Sequence, residues 1–569
     1  MLVLGVVGLA VYHNSFAGPF IFDDICSIPN NQRIRRLWPP WEALSPPAHC
    51  TIEGRPLVNL SLAFNYAVAG LNVWGYHAFN LAVHVLAALT LFGIVRRTLA
   101  GVHLRRGDSD TAWPLALVVA LVWMVHPLGT ESVTYIIQRS ESLMGLCYLL
   151  TIYCVIRGHA AAGRYGWYVA SIAACAMGMA CKEVMVTAPV AVLLYDRCFL
   201  STSFREALRE RWGLYAGLAG TWLVLAAGQI TTSHPTAGFD LEHLRPWHYA
   251  MTQPGVILRY LRLSFWPAPL VIDYYGWPIA RHITPAAVVV AGLLVATLWV
   301  LYRRPAIGFL GAWFFLILAP TSSILPLAGE PAAERRMYLP LAAIVVLVVV
   351  GAHAAMEAAV RRDRLSAAVR QGIQVALVSM IVVILGVVTL RRNEDYRSRI
   401  SIWQDVATKR PDNARAHMNL GHYLAEERRI DEAQREYAEA VRSEPNNPDA
   451  HYGVAILLGQ QGKLDDAIAE YSEVLRLNPD HAKAHNSLAG VLSGRGQLAE
   501  AMQHYSEAVR IDPAYPEAHY NFALLLLRSG RTDEAIDQLE SALELRPGFV
   551  AARRLLEDSR RGRARAGSQ

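Results

Sequence analysis

Several signatures of soluble enzymes and of nucleic-acid-binding proteins are absent from this sequence. It contains no Gly-rich phosphate-binding loop and no basic stripe with interleaved aromatic residues, so neither a nucleotide loop nor a nucleic-acid surface is indicated. Its seven cysteines include no pair at zinc-ligand spacing. The net charge is only +6, with arginines clustered at the ends of apolar segments. This pattern indicates orientation in a membrane rather than binding to nucleic acid.

Long apolar runs are what the sequence does contain. Hydrophobic residues make up 53% of the 569 positions and are concentrated before about residue 390, whereas the remainder is polar, charged and periodic. Because about 20 apolar residues cross a bilayer, we predict eleven transmembrane helices. They are a first segment at 2–16 and ten further stretches at 76–95, 112–127, 141–157, 165–181, 184–199, 212–230, 283–302, 306–325, 337–357 and 371–390.

The first segment is shorter than a full span. The apolar run from Leu2 to Val11 needs either a continuation through Phe16 or residues upstream of Met1 to cross the bilayer. A signal peptide is the alternative, but it would carry a basic n-region and a cleavage site, and this segment has neither. We therefore interpret it as the first transmembrane helix.

The distribution of arginine predicts how these helices are oriented. A cytoplasmic N-terminus places three basic groups inside, as the positive-inside rule requires: 96–97, 157–164 and 205–211. If residues 250–266 do not span the membrane, two more basic groups fall inside: 303–304 and 361–364. We therefore predict that 250–266, which contains Arg259 and Arg262, is an interfacial or re-entrant helix in a long outer loop.

Two adjacent carboxylates, Asp23 and Asp24, follow the first apolar segment. Acids in a membrane domain are costly unless they face water or a substrate, so the pair predicts a functional site. The alternative is that one Asp caps a helix starting near Ile25 and the other is solvated. In the orientation above, other charged residues fall at the same outer face: Glu53, Arg55, His126, Glu131, Arg139, Glu141, Lys182, Glu183, Glu334, Arg335 and Arg336. Each also has a structural alternative, namely ion pairing, snorkelling or contact with lipid headgroups.

After Leu390 the chain becomes a repeat array. A proline recurs every 34 residues, the period of tetratricopeptide repeats, at Pro411, Pro445, Pro479, Pro513 and Pro547. Small and aromatic packing positions recur with it, as at Ala433 and Tyr437. We predict a connecting half repeat at 393–411, four repeats at 412–552 and a basic tail at 553–569. Histidines with the same period are interpreted as packing residues rather than metal ligands: His417, His451, His485 and His519.

Short motifs in the membrane half carry a resemblance to a known family. They are Phe22-Asp23-Asp24-Ile25, Gly54-Arg55-Pro56-Leu57, Tyr76-His77 with Asn80 and His84, His126-Pro127 with Thr130-Glu131, Arg139-Ser140-Glu141, Lys182-Glu183, Trp266-Pro267, Asp273-Tyr274, Glu334-Arg335-Arg336 and Tyr338-Leu339-Pro340. The membrane half resembles the GT-C glycosyltransferases. The whole chain resembles the transmembrane and tetratricopeptide repeat-containing O-mannosyltransferases, in a compact, Arg-rich form that looks bacterial. The resemblance implies an all-α fold, with a polytopic GT-C helical domain at 1–392 followed by a tetratricopeptide-repeat α-solenoid.

The resemblance also implies a reaction. A sugar, mannose by analogy, would pass from a polyprenyl phosphate to Ser or Thr hydroxyls of a protein, and Asp23 or Asp24 would take the proton of the accepting hydroxyl. Cations would stabilise the leaving phosphate: Arg55, Arg139, Lys182, Arg335 and Arg336. Carboxylates and an imidazole would orient these cations or bind the sugar: Glu53, His126, Glu131, Glu141, Glu183 and Glu334.

A divalent metal is a further hypothesis. Asp23, Asp24 and a neighbouring Glu would offer the oxygen ligands that hard divalent ions favour. No other cofactor is expected, since the polyprenyl-phosphate sugar is itself the donor substrate. A lipid-linked donor also agrees with the absence of a Gly-rich phosphate loop.

The repeats are predicted to hold the protein acceptor. Asn419 and Asn521 occupy the same position in the first and fourth repeats, with Gly453 and Ser487 between them. A side-chain amide both donates to and accepts from a peptide backbone, although Asn here also suits a bond across helices. Two other interpretations stay open: a non-catalytic membrane-anchored scaffold for envelope proteins, and a GT-C transferase acting on a glycan or lipid.

The predicted location is the inner membrane of a bacterium, with the Asp pair and the repeats on the periplasmic side, or on the lumenal side in a eukaryote. Cys26 and Cys50 share the first outer loop and would pair if that loop faces an oxidising compartment. The remaining cysteines lie in or at the ends of apolar runs and are interpreted as core residues: Cys147, Cys154, Cys175, Cys181 and Cys198.

Overall fold

The computed structural model describes residues 1–48, 50–104, 111–230, 246–324, 330–363 and 367–566. Every regular element in these ranges is helical. The chain divides into two compact units, Met1–Asp405 and Val406–Gln569. These findings confirm the predicted all-α fold class. The finer subdivision predicted at 392, 411 and 552 stays a prediction.

The helices of the first unit begin at Leu2. In chain order they are α1 (Leu2–Tyr12), α2 (Asp23–Ser27), α3 (Pro40–Ala43), α4 (Pro56–Ala69), α5 (Val73–Leu104), α6 (Ala112–Met124), α7 (Thr130–Thr134), α8 (Arg139–Ala160), α9 (Arg164–Met179), α10 (Ala188–Tyr195), α11 (Phe204–Glu210), α12 (Trp212–Gly220), α13 (Trp222–Ile230), α14 (Pro246–Phe265), α15 (Pro285–Arg303), α16 (Pro305–Ala319), α17 (Pro340–Asp363) and α18 (Ala367–Asp395). Several begin on a proline, whose fixed φ suits the first helical position: α4, α15 and α16. Two short 3-10 helices carry further predicted site residues, Glu183–Thr187 and Glu334–Met337, and a third, Ile136–Gln138, directly precedes Arg139.

Six helical segments of the described ranges are long and apolar enough to cross a membrane: Val73–Gly101, Ile136–Ala160, Pro285–Arg303, Pro305–Ser322, Pro340–Ala358 and Gln371–Asp395. The number rises to eight if each of two bent pairs is one span: Ala112–Met124 with Pro127–Thr134, and Glu183–Leu200 with Phe204–Glu210. The predicted count of eleven is not confirmed. The other predicted segments form shorter or interrupted helices: α1 at 2–16, α9 at 165–181, and α12 with α13 at 212–230.

Helix α14 covers the segment that decided the predicted topology. Six of its eight buried side chains recur at helical spacing on one face: Tyr249, Thr252, Gln253, Val256, Tyr260 and Leu263. Arg259 and Arg262 lie on the same helix, and α14 is not among the segments that qualify as spans. This agrees with the prediction that 250–266 does not cross the membrane. Its position relative to the bilayer stays a prediction.

Helix α19 (Arg399–Lys409) crosses the boundary between the two units. The second unit then continues with four helix pairs: α20 (Ala414–Glu426) with α21 (Ile430–Ser443), α22 (Pro448–Gln460) with α23 (Leu464–Leu477), α24 (Ala482–Gly494) with α25 (Leu498–Ile511), and α26 (Pro516–Arg528) with α27 (Thr532–Leu545). A last helix, α28 (Val550–Ala566), follows. The four predicted repeats are confirmed.

Small residues allow the paired helices to approach closely. The recurring alanines of the second helices are completely buried: Ala433, Ala467, Ala501 and Ala535. At Gly453 an added Cβ would lie only 2.3 Å from the ring of Tyr437. A larger residue at this position would therefore force two repeats apart, which explains the alternation of small and aromatic residues in the sequence.

The periodic histidines join the helices of the array. The Nε2 atom of each lies 3.0–3.1 Å from the carbonyl oxygen of the proline six positions earlier. The Nδ1 atom of each contacts a residue of the second helix of its repeat: Glu436, Glu470, His504 and Gln538. Both ring nitrogens are thus used within a repeat, so these histidines pack the helices, as predicted.

Candidate functional site

Asp24 is a buried anchor for the loop that carries the Asp pair. Its side chain is completely buried. Its Oδ1 accepts the N–H of Ile137 at 2.8 Å, and its Oδ2 accepts the N–H of Ile21 at 3.0 Å. Burial raises the pKa of Asp24 to about 8, although the two N–H groups favour its ionised form. With both oxygens occupied, Asp24 holds the loop against the short helix at 136–138.

Asp23 has a different environment. Its side chain is only half-buried, and its backbone N–H donates to the hydroxyl of Tyr135 at 2.9 Å. Burial raises the pKa of Asp23 to about 6; the negative charge of Glu330 raises it further and the positive charge of Arg335 opposes this. Neither Asp makes a side-chain cap for α2, so the capping alternative is not observed. Of the two aspartates, Asp23 is the one that is partly exposed to solvent.

The backbone just before Asp23 is strained. Phe22 has a φ of 41°, in a region that side chains other than glycine rarely adopt. Its ring packs edge-on against Trp403, with the ring centroids 5.2 Å apart. Such strain persists only where the surroundings impose it, and it is concentrated at functional sites. The Trp403 contact thus helps to fix the direction of Asp23.

A disulfide joins this loop to the turn that carries Arg55. It links Cys26 in α2 to Cys50, as predicted for an oxidising compartment. Two backbone bonds then build the turn, from the N–H of Glu53 to Cys50 at 2.9 Å and from the N–H of Arg55 to Ile52 at 2.9 Å. The disulfide therefore couples the position of the Asp pair to that of Arg55.

Two predicted cations each lie beside a glutamate. Lys182 Nζ is 2.5 Å from Glu141 Oε2, and both side chains are buried. Arg55 Nη2 is 3.6 Å from Glu183 Oε2, and both are partly exposed. Lys182 and Glu183 follow α9, so one short segment places one member of each pair. The structure thus brings together four of the predicted site residues.

Arg335 lies between two glutamates. Its Nη1 donates to Glu131 Oε1 at 2.6 Å, and its backbone N–H donates to Glu131 Oε2 at 2.9 Å. Its Nη2 forms an ion pair with Glu330. Since Glu141 also acts electrostatically on Arg335, and Arg335 on Asp23, these charges form one cluster. We call this cluster the Asp23 site: Asp23, Asp24, Arg55, Glu131, Glu141, Lys182, Glu183, Glu334 and Arg335.

Glu334 lies at the edge of the Asp23 site. Its Oε1 accepts the N–H of Val271 at 2.7 Å and the hydroxyl of Tyr274 at 2.6 Å. Burial raises the pKa of Glu334 to about 7, against the positive charge of Arg392. Neither Arg392 nor Glu330 was predicted from the sequence. Arg392 directly follows the last apolar run, and its position at the end of a span was the signal that could have identified it.

Three predicted site residues instead support the backbone. Arg139 donates to Asn65 at 2.5 Å and to the carbonyl of Tyr76 at 3.2 Å. Arg336 donates to backbone carbonyl oxygens of Thr321, Glu330 and Pro331. Both ring nitrogens of His126 contact backbone groups, those of Ser264 and Leu128. Their role at a phosphate or sugar stays a prediction, and these contacts favour a supporting role.

An apolar groove adjoins the turn that ends at Arg55. It has a volume of about 480 Å³. Its lining is formed by the start of α4, the end of α9 and helix α13: Gly54, Pro56, Met179, Ala180, Leu223, Val224, Ala227 and Gly228. The N–H of Leu57 donates to the carbonyl of Ala180 at 3.2 Å, which joins the start of α4 to the end of α9 beside the groove. A hydrocarbon chain is the chemistry that such a lining accepts.

The metal hypothesis has no preformed site in the structure. Within the described ranges, no group of three or more His, Cys, Asp or Glu side chains is arranged to hold a metal ion. Asp24 in addition already uses both oxygens on backbone N–H groups. A metal bound by the Asp pair and a glutamate stays a prediction.

The two asparagines predicted to bind an acceptor have internal partners. The amide nitrogen of Asn419 donates to the carbonyl of Arg415 at 3.0 Å in its own helix. That of Asn521 donates to Asn486 Oδ1 at 3.1 Å in the preceding repeat. The second contact is the cross-helix bond named above as the alternative. Acceptor binding by these residues stays a prediction.

Two kinds of family model match the chain. Residues 53–228 match the dolichyl-phosphate-mannose-protein mannosyltransferase family. Tetratricopeptide-repeat models match four overlapping stretches: 387–448, 418–468, 455–516 and 492–558. The first match contains Arg55, Glu131, Glu141 and Lys182 of the Asp23 site. The others cover the helix pairs of the second unit.

Characterised relatives carry O-mannosyltransferase names. Protein O-mannosyl-transferase Tmtc3 of Drosophila melanogaster is 26% identical over 78% of this chain and 54% of its own length. TMTC2 of Homo sapiens is 32% identical over 34% of this chain and 23% of its own. TMTC4 of Mus musculus is 24% identical over 75% of this chain and 64% of its own. The chain thus spans less than two thirds of the length of each of these relatives.

Among solved structures, MamA from Desulfovibrio magneticus RS-1 aligns with 26% of this chain and with 85% of its own length, at 24% identity and with a TM-score of 0.25.

The long apolar helices, the mannosyltransferase match and the repeat matches agree with the resemblance carried by the motifs. The chain is a membrane protein with tetratricopeptide repeats, and it is related to the transmembrane and tetratricopeptide repeat-containing O-mannosyltransferases.

Proposed function

We propose that this protein is a membrane glycosyltransferase that transfers mannose from a polyprenyl phosphate to Ser or Thr hydroxyls of a protein held by its repeats. One observation carries the proposal. A half-buried carboxylate with a raised pKa, Asp23, lies in one buried cluster with cations whose glutamate partners hold them in place. A base and a set of cations are the two contributions that glycosyl transfer from a phosphate requires.

Asp23 is the proposed base. Its carboxylate takes the proton of the acceptor hydroxyl while that oxygen forms a bond to the anomeric carbon of the sugar. The bond from this carbon to the phosphate oxygen breaks, and polyprenyl phosphate leaves with the electron pair. A pKa of about 6 leaves Asp23 ionised at neutral pH and makes it a stronger base than an ordinary aspartate. Asp24 positions it from the neighbouring residue.

Arg55, Lys182 and Arg335 are the proposed phosphate-binding cations. Arg55 is the most exposed of the three, at 20%, and it lies next to the apolar groove. A donor whose lipid chain occupies the groove would present its phosphate at Arg55. Each cation has a glutamate partner that orients it and that is displaced in part when the phosphate binds. Cations fixed in this way stabilise the charge that develops on the leaving group.

The test is a transfer assay with purified protein. Polyprenyl-phosphate mannose and other lipid-linked sugars are incubated with it and with candidate acceptor proteins, and released lipid and modified protein are measured by mass spectrometry. We expect release of polyprenyl phosphate and one added hexose per modified Ser or Thr. Absence of both products with every donor would favour the membrane-anchored scaffold instead.

We further propose that the Asp23 site and the repeats lie on the periplasmic face of a bacterial inner membrane. The Cys26–Cys50 disulfide and the positive-inside distribution of arginine support this side. In a Cys198→Ser background, Ile283→Cys should react with an impermeant thiol reagent in intact cells. Ala162→Cys should react only after the cells are permeabilised. The opposite pattern would contradict the orientation.

A further inference from the structure

Three donors beside the Asp23 site are buried and have no hydrogen-bond acceptor within the residues that the structure describes. They are Arg392 Nη2, Tyr396 Oη and Trp403 Nε1. The exposed fractions of these residues are 5%, 2% and 1%. Buried polar groups are nearly always paired, and a group that is not calls for an explanation. Three such groups within twelve residues of one segment indicate that a ligand supplies the missing acceptors.

The segment that bears them is packed against the Asp pair. Thr134, which precedes the Tyr135 that bonds Asp23, donates to Asn393 at 2.8 Å. Further on, Arg399 Nε donates to the carbonyl of Phe20 at 3.1 Å, and Trp403 packs against Phe22. The unpaired donors are therefore carried by a segment that contacts the backbone just before Asp23 and the neighbour of Tyr135.

The charges around these donors select the kind of acceptor. Arg392 Nη1 donates to Asp395 at 2.9 Å and to Asp405 at 2.7 Å, so its positive charge is already matched, whereas Nη2 is buried without an acceptor. The guanidinium lies 5.3 Å from the ring of Tyr396, on which the carboxylates of Glu131 and Glu334 also act. These carboxylates would repel an anionic ligand, whereas a neutral oxygen atom could accept hydrogen bonds from the unpaired donors.

We propose that Arg392, Tyr396 and Trp403 bind neutral oxygen atoms of a substrate and position it against Asp23. Two sources offer that chemistry, the hydroxyls of the transferred sugar and the backbone carbonyl of the acceptor peptide. The assignment rests on the proposed function and extends it to three residues outside the predicted motifs. All three act by holding the substrate, and none exchanges a proton with it.

Tyr396→Phe is the main test of the assignment, because it removes one donor and almost no volume. Trp403→Phe removes the second donor together with one ring of a buried side chain that packs on Phe22. Matched controls are Tyr165→Phe and Trp299→Phe, which change exposed residues. Transfer to the acceptor and hydrolysis of the donor without acceptor are measured for each variant. We expect kcat/KM for transfer to fall about 10-fold, the loss of one well-placed hydrogen bond. If the sugar is the ligand, hydrolysis falls equally; if the peptide is the ligand, hydrolysis is unchanged and KM for the acceptor rises.

The thermal midpoint separates this role from a structural one. An unpaired buried donor costs stability, so removing it in Tyr396→Phe should leave the midpoint unchanged or raise it. Wild-type transfer and hydrolysis in both variants would overturn the assignment, as would a lowered midpoint of Tyr396→Phe that accounts for its lost activity. A wild-type protein without transfer from any lipid-linked sugar would instead overturn the proposed function, and this assignment with it.

Discussion

Two buried charged clusters lie at opposite ends of α8, which is roughly 33 Å long at 1.5 Å per residue. The Asp23 site is at the Arg139 end. The other cluster, which we call the Asp196 network, is near His159 at the far end: His159, Asp196, Ser201, Arg211 and Tyr215. Both contain completely buried carboxylates, but they differ in how well their polar atoms are paired.

The Asp196 network is saturated. Asp196 accepts bonds from Ser201 at 2.7 Å, from Tyr215 at 2.5 Å and from Arg211 on both oxygens. The other arm of Arg211 meets His159 at 3.0 Å. Such a network ties the end of α8 to the segment after α10 and to α12. Within the described ranges, none of its five residues has a buried side-chain atom without a hydrogen-bond partner.

The Asp23 end is not saturated. Many of the buried polar atoms without a hydrogen-bond partner, within the described ranges, lie there, on Thr130, Ser132, Ser140, Arg392, Tyr396 and Trp403 among others; a smaller number, such as Arg97 Nε, lie elsewhere. Burial of charge alone therefore does not indicate a site. Incomplete pairing does, because the missing partners must come from a substrate or from water.

The largest effect on stability is expected for a substitution in the Asp196 network. Asp196→Ala leaves the positive charge of Arg211 buried without its carboxylate partner, and it leaves the hydroxyls of Ser201 and Tyr215 without an acceptor. It should therefore lower the free energy of unfolding by about 3–5 kcal/mol. Glu210→Ala is the control, because Glu210 also pairs with Arg211 but is 55% exposed, and it should cost less than about 1 kcal/mol. Thermal midpoints in detergent measure both. Equal, small effects would show that the Asp196 network does not hold the fold.

The disulfide should affect both the stability of the protein and its transfer activity, because it belongs to the Asp23 end of α8. Replacing Cys26 and Cys50 by Ser opens a loop with a sequence separation of 24 residues and should lower the free energy of unfolding by about 3 kcal/mol. Transfer should fall as well, since the disulfide couples the Asp pair to Arg55. Unchanged stability and unchanged transfer would contradict this coupling. Cys147→Ser, which changes a buried free cysteine, is the matched control.

A smaller loss of stability is expected for Asp24→Asn. The amide replaces one carboxylate oxygen by an NH2 group, so either Ile21 or Ile137 loses its acceptor, at a cost of about 1–3 kcal/mol. Asp23→Asn should leave the midpoint nearly unchanged, because the Asp23 side chain is only half-buried. If Asp23→Asn proved the more destabilising of the two, the roles given to the two aspartates would be reversed.

The fold was predictable from the sequence where local patterns decide it. The proline period placed the four repeats, and apolar length placed the long spans at α5, α8 and α15 to α18. At 165–181 and 212–230 the helices are shorter than 18 residues, so the predicted spans there are not confirmed. Thr221 interrupts the second of these segments between α12 and α13. Local breaks of this kind are invisible to a hydropathy count.

The site was predictable as a set of charges but not as a set of roles. Ile137, which fixes Asp24, is 113 residues away in sequence, and Arg335 and Glu131 are 204 residues apart. No spacing rule relates such positions, so sequence analysis could not separate the anchoring Asp24 from the accessible Asp23. It also could not show that the N–H groups of Arg139 and Arg336 donate hydrogen bonds to other residues of the protein.

The central claim, that Asp23 is the catalytic base, is tested most directly by the pH dependence of transfer. In the wild type, kcat/KM should fall as the pH drops through about 6, because protonation of Asp23 removes the base. In Asp23→Asn, transfer at neutral pH should be lower by about 100-fold or more, and the decrease of kcat/KM near pH 6 should be absent. Full activity of Asp23→Asn, or persistence of the same decrease in that variant, would contradict the account.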